Sequence, residues 1–420
     1  MLRTRRSMAG MAALALACLM TGCSNVPSPA PSATTADAPP PAGDGILTVG
    51  TLFPASGPQA FIAPAQVAGV DLAVKEINET GGVLGKSIVV VHADSGEARD
   101  KTLEASFAAL IDKKVDVVIG PSSSVLAERI LLAAMHAGVP LISPAATAPR
   151  VSGLADDGML FRTISSAAMQ GTALAELVGA GEKPRLAVIY FDDDSGRATA
   201  ASATAGVRQL GGKLVASQRF NAATKDFAAM FASVTASKPD AVIVASPFSA
   251  MEQNKAIIAA LTEAGLGKEK LLLTGGNLAD YSQALPAGML VGARGVIEGA
   301  EPDQAFRDRV KSVGNAVTDF RYAPEAYDAV MLAALAAIVA GSDNGRAVAR
   351  SIGDVSAGGI KCLNLSECRG VLRTQDDIDY DGVSGPVNLT AEGDPDRAHF
   401  GVYRYNGENK FSRVDAVVAG

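Results

Sequence analysis

The chain has 420 residues, 48% hydrophobic and 19% charged, with 37 basic against 44 acidic side chains and a formal net charge of −7. That balance describes a globular protein, and the length is too great for a single core. The acidic excess speaks against nucleic acid and anionic lipid as partners.

Arg3, Arg5 and Arg6 precede an apolar run from Met8 to Met20, then Gly22 and Cys23. This is the pattern of an export signal. The cysteine directly after Gly22 makes it resemble a bacterial lipoprotein signal (1–22), with Cys23 as the lipid-attachment residue; an ordinary secretory signal is the alternative. Without the signal, 34 basic residues face 44 acidic ones, a net of about −10. Residues 23–44 hold six prolines and little apolar mass, so they read as an extended tether. No later segment has 18 uncharged apolar residues. Cys18 leaves with the signal. Cys362 and Cys368, with five residues between them, are expected to form a disulfide outside the cell.

From Gly45 onward, short β-rich runs alternate with helix-period segments, the pattern of parallel α/β sheets. Ile46–Leu52, Ser87–Val91, Val115–Ile119 and Val139–Ile142 read as strands. A helix carries Val67, Val70, Val74 and Ile77 on one face and stops at Gly81-Gly82, and others are expected near 98–113 and 123–136. The series restarts with strands at Leu186–Phe191, Leu214–Gln218, Ala241–Ala245 and Leu271–Leu273, and helices near 196–210, 225–237 and 249–264. Further helices are expected near 302–313, 322–340 and 344–353, before Asp/Gly-rich turns and a strand at His399–Tyr405. Two successive βαβ series predict two lobes, with the chain returning to the first before ending in the second.

Ligands of open parallel sheets lie beyond the carboxyl ends of the strands. Three such ends carry hydroxyls and turn residues: Ser56–Phe61, Gly120-Pro121-Ser122-Ser123-Ser124, and Ser143–Pro149. Serines at a helix start suit a carboxylate, although each serves equally well as a plain N-cap.

Gly50–Glu79 with GGVLG at 81–85, then VVIGPSSS, LISPAATAP, YDAV at 327–330 and YDGVSGP at 380–386, resemble the leucine/isoleucine/valine-binding type of periplasmic solute-binding protein. The resemblance implies an α/β fold of two doubly wound parallel-sheet lobes joined by a three-stranded hinge. Lobe 1 would comprise 45–164 plus about 295–358, and lobe 2 would comprise 165–294 plus about 359–420. It further implies a monomer without cofactor or catalytic activity. Such a protein captures a small carboxylate by hinge closure and delivers it to the membrane subunits of an ABC permease, held at the membrane by its lipid. A ligand-sensing receptor module of the same fold is the alternative, and a cell-envelope hydrolase a distant third.

Carried onto this chain, Ser124, Ala145 and Thr147 match the groups that hold the ligand carboxylate and ammonium. Tyr322 falls at an aromatic-wall position, and Phe61 or Ile62 takes the place of another aromatic near the first strand end. The second half departs from the pattern: Ser195-Gly196 stands where Tyr-Gly is common, and Gly276 or Asn277 where an acid is expected to pair with an ammonium. Asp280, or one of Asp192, Asp193 and Asp194, is the expected substitute; otherwise the ligand is a keto or aromatic acid. Asp377–Gly382 matches half of a calcium loop, but its twelfth position is Asn388. No nucleophile elbow, P-loop, dinucleotide fingerprint or zinc-protease motif occurs.

Overall fold

A computed structural model describes residues 43–420 except 58, 98, 180–182, 300, 315 and 375–376. The signal, Cys23 and the tether as far as residue 42 lie outside the described residues. The first apolar runs form β1 (Thr48–Phe53), β2 (Val89–Asp94), β3 (Val117–Ile119), β4 (Leu141–Ser143) and β5 (Leu160–Arg162). They lie parallel in the order β2-β1-β3-β4-β5. Helices α1 (Ala63–Glu79), α2 (Thr102–Asp112) and α3 (Ser124–Ala137) make the crossovers. Strands buried on both faces favour apolar residues at every position, which is why β3 reads as an unbroken apolar run.

The second series opens with α4 (Ala167–Val178), then β6 (Arg185–Phe191), α5 (Asp194–Gln209), β7 (Lys213–Phe220), α6 (Ala228–Ala236), β8 (Ala241–Ala245), α7 (Met251–Glu263), β9 (Leu271–Leu273) and β10 (Arg294–Glu298). The chain then returns to the first sheet through α8 (Gln304–Val313), α9 (Ala323–Ala340) and α10 (Gly345–Ser356), whose apolar faces join one core with α1, β1 and β3. Helix α9 is long and apolar enough to cross a membrane, yet 83% of it is buried inside the protein. It is the central core helix of the first lobe.

Next come β11 (Ile360–Cys362), α11 (Leu365–Leu372), β12 (Ile378–Gly382) and β13 (Gly385–Pro386), which form a small separate sheet and its helix. The expected start of the second lobe's last segment, near 359, is displaced by this unit. Cys362, Leu365, Cys368, Ile378, Tyr380 and Val387 all pack into the first lobe's core. A buried carboxylate adds a polar lock: Asp328 on α9 accepts from the Tyr380 hydroxyl at 2.7 Å, Val383 N at 3.0 Å and Ser384 N at 2.7 Å. The YDAV and YDGVSGP motifs therefore meet each other. Cys362 and Cys368 are joined by a disulfide that closes the turn from β11 into α11.

Only β14 (Ala398–Tyr405) and β15 (Phe411–Ala419) return to the second sheet, which runs β15-β14-β10-β9-β8-β6-β7 with β14 antiparallel to β10. Strand β10 ends at Glu298 within that sheet, so the crossover expected near 295 follows Glu298 instead. The chain thus passes between lobes after β5, after β10 and after β13.

Beside the first crossing, Arg162 is fully buried and donates from Nε and Nη2 to both carboxylate oxygens of Asp394, each at 2.6 Å. It also donates to the Ala146 carbonyl at 2.9 Å, the Ala148 carbonyl at 3.2 Å and the Ser152 hydroxyl at 2.7 Å.

Candidate ligand-binding site

The carboxyl ends of both sheets face one cleft of about 310 Å³, within the usual range for a small-molecule site. The first lobe contributes Gln59 from the loop after β1 and Thr147 from the loop after β4. The second contributes Gln170 of α4, Asp193, Ser195 and Thr199 at the start of α5, Ser246 and Phe248 after β8, Thr274 and Gly276 after β9, and Glu298 at the end of β10. Most lining groups lie just beyond strand ends, because parallel crossovers put the connecting loops of one sheet end on the same side; Gln170 comes instead from α4.

Thr147 and Ser195 are brought together here. Among the described residues neither hydroxyl has a protein partner, and both side chains keep partial exposure to the cleft. Ser124 does not line the cleft. Its Oγ accepts from Ala148 N at 3.0 Å, so it fixes the loop that presents Thr147. Arg162 grips the same loop through the carbonyls on either side of Thr147, and Ala167 N of the second lobe donates to the Thr147 carbonyl at 2.8 Å. Ala145 lies in this loop but is not part of the cleft wall.

Asn277 is corrected from ligand group to structural support. It is completely buried; its Oδ1 accepts from Thr274 N at 2.8 Å and its Nδ2 donates to the Val244 carbonyl at 2.9 Å. A buried amide needs partners, and these bind the ends of β8 and β9 together. Asp280 is corrected too: it is exposed, away from the cleft, and accepts from Ser282 N at 2.8 Å. Asp192 and Asp194 are engaged by Arg197 at 2.7 and 2.6 Å. Only Asp193 of that trio reaches the cleft, where it also caps α5 by accepting from Gly196 N at 2.7 Å.

Phe61 is 57% exposed outside the cleft, with the Arg321 guanidinium 5.1 Å from its ring centre. Tyr322 lines a neighbouring cavity of about 470 Å³ with Phe320, Tyr403 and Phe411. Glu298 lies on the walls of both spaces. Phe248, 68% exposed at the cleft rim, is an aromatic that the sequence did not flag. Lys361 lies against Asp379 at 3.4 Å and Asp381 at 2.8 Å, so the calcium-like run is an ion-paired hairpin strand.

Gln170 and Glu298 are two more cleft groups missed by sequence reasoning, as are Thr199, Ser246 and Thr274. Gln170 Nε2 donates to Glu298 Oε1. Burial pushes the Glu298 carboxyl above the ordinary carboxylate range, against the opposing hydrogen bonds from its own backbone and Gln170. Arg150 pairs with Glu128 on α3 of its own lobe at 2.9 Å and with Asp194 on α5 of the second lobe at 3.1 Å, so it bridges the two lobes.

A family model described as "Periplasmic binding protein" matches residues 46–402. The chain belongs to the periplasmic binding protein family. It is of the type I, branched-chain amino-acid ABC kind, whose members are solute-binding proteins. A chemotactic signal transduction system substrate-binding protein, BasB of Halobacterium salinarum, is 28% identical over 83% of this chain and 84% of its own. The solved structure of LivJ from Streptococcus pneumoniae with isoleucine is 25% identical and covers 89% of this chain and 99% of its own, with a TM-score of 0.63. A Rhodopseudomonas solute-binding protein solved with benzoate shares the fold at 22% identity, covering 89% of this chain and 96% of its own, with a TM-score of 0.61. The chain is therefore a substrate-binding protein of the ABC-transporter type.

Proposed function

We propose that this protein captures a small carboxylate-bearing solute between its lobes and delivers it to the membrane subunits of an ABC permease. The observation that carries the reading is that a single cleft draws polar groups from both lobes, with Thr147 on one side and Ser195 on the other. A ligand held by both lobes favours the closed form by its differential contacts, and a permease can read that change of shape. The carboxylate is assigned to Thr147 and Ser195, the free hydroxyls. Ser124 and Arg162 hold the Thr147 loop in place. The protein acts as a monomer, without catalysis, tethered outside the cytoplasmic membrane through lipid on Cys23. The name of the BasB relative supports a second reading, in which the loaded form reports to a signalling partner.

Isothermal titration of Thr147→Ala and Ser195→Ala tests the site. Each variant should bind about tenfold more weakly than wild type, the scale of one hydrogen bond to a charged group. Melting temperatures should not change. Unaltered affinity in both variants would refute the assignment.

A further inference from the structure

The three passages between the lobes meet around a small cavity of about 20 Å³. Thr163 and Ser165 line it from the first passage, Gly299 from the second and Arg397 from the third. His399 of β14 stands among them and touches two. Its carbonyl accepts from Gly299 N at 3.0 Å, where the second passage starts. Its ring lies against Gly385 of β13, just ahead of the third. A Cβ on Gly385 would stand 2.6 Å from the ring Cδ2 and 2.7 Å from Nε2, and φ there is +110°, so glycine is what lets the ring come this close.

This seat suits a neutral ring and not a charged one. His399 Nε2 is buried and has no hydrogen-bond partner among the described residues. Protonation makes both ring nitrogens donors, and a buried cationic donor without an acceptor is costly. The cavity has room for about one water, not for a hydrated counterion.

The neighbouring charges do not offset that cost. Glu325 of α9 and Arg397 face the cavity with opposite signs, and Glu325 Oε1 is turned toward the second passage, where it would collide with a Cβ on Gly299. On β15 the residue paired with His399 is Val418, and the single charge of α4 is the exposed Glu176. Glu298 of β10 lies on the cleft wall, while Asp328 and Asp394 are engaged by Ser384 and Arg162. Burial alone holds the His399 ring below the ordinary histidine value of 6.5.

We propose that His399 is a proton-sensitive pin of the hinge. Neutral, it keeps the three passages in their present arrangement; protonated, it moves its ring to water and lets the lobes take up another. An arrangement with the ring in water keeps the ordinary value of about 6.5, so the present one is favoured in full above that pH and loses ground as pH falls below it. Asp328 works in the opposite sense, because burial raises its carboxyl to about 6 and its protonation in acid favours the folded form. In the present arrangement Arg150 and Asp194 meet across the lobes at 3.1 Å, so acid should part them. A solute held between the lobes would then be held less well in acid than at neutral pH.

The test uses the full chain in detergent micelles, between about pH 7.5 and pH 5, which brackets the ordinary histidine value. Leu132→Cys on α3 and Leu210→Cys after α5, both exposed, carry a donor and an acceptor dye on the two lobes; Cys362 and Cys368 are tied to each other and do not label. Energy transfer should fall as pH drops below 6.5 and recover on return to neutral. In His399→Gln, which stays neutral, that response should be lost. The chain has three histidines, so the His399 ring signal in carbon NMR is assigned by elimination with His92→Gln and His136→Gln, leaving the hinge untouched should His399→Gln not fold. That ring should titrate below 6.5. Transfer indifferent to pH with His399 in place, a response that His399→Gln retains, or a His399 ring titrating at or above 6.5 would each overturn the pin.

Discussion

Replacing Arg162 with methionine tests how the ligand loop is held. Methionine keeps most of the apolar stem but removes five donated contacts, two of them to Asp394. Removing one partner of a buried ion pair costs about 3–5 kcal/mol, because the other charge is left without compensation. Asp394 is 14% exposed and Arg162 not at all, so solvent gives little relief. With native stabilities of about 5–15 kcal/mol, that loss is a large fraction of the whole. Urea unfolding followed by far-ultraviolet circular dichroism should show Arg162→Met less stable by about 4 kcal/mol. A double variant, Arg162→Met with Asp394→Leu, should recover at least about 1 kcal/mol, since no orphan charge remains. Its ligand affinity should stay low, because the Ala146 and Ala148 carbonyls beside Thr147 remain without their clamp. A single variant that loses less than about 1 kcal/mol, or a double variant no more stable than the single, would refute the reasoning.

Two further outcomes are expected. Arg150→Ala removes a bridge between Glu128 and Asp194 that spans the lobes; these are surface pairs worth about 0–1 kcal/mol each, so affinity should fall about two- to fivefold and the difference should shrink in high salt. An affinity loss that salt leaves untouched would exclude a role through charge. Asp116 is held at about 7 by burial, with Asp343 and Asp44 adding to the shift against the opposing Thr48 N–H. The folded protein then keeps a proton that the unfolded chain has lost above about pH 4, so this group's stabilising contribution is full below that pH and is lost as pH rises to about 7. Asp116→Asn should flatten the stability profile over that window by about 1–2 kcal/mol, allowing for solvent screening of a half-buried group, and an unchanged profile in urea melts would count against it.

The strands and helices of both βαβ series were legible because their periods are local: Ala241–Ala245 and Leu271–Leu273 lie where the apolar runs place them. The short β5 and the helix α4 were not, since three buried residues or an alanine-rich stretch carry little period of their own. The first-lobe loops were legible through their hydroxyls and turn residues. Their division of labour was not: Ser124 and Thr147 look alike in sequence, and only the hydrogen bond to Ala148 N makes one a support and the other a contact. Asn277 looked like a cleft residue because it follows a strand end; burial turns it inward. Glu298 escaped notice because a lone acid at the end of a strand has no motif. The partnership of Arg162 with Asp394 joins positions 232 residues apart and leaves no trace in either neighbourhood.

The way the chain weaves between its halves bears on its biosynthesis. The first half-molecule lacks part of its interior until Val387 has been made, and the second lacks β14 and β15 until almost the last residue. The first therefore finishes only shortly before the second, unlike serial domains that mature one after another from the ribosome. A stop codon anywhere before residue 387 should therefore cripple both halves together. No single proteolytic cut can release either one intact.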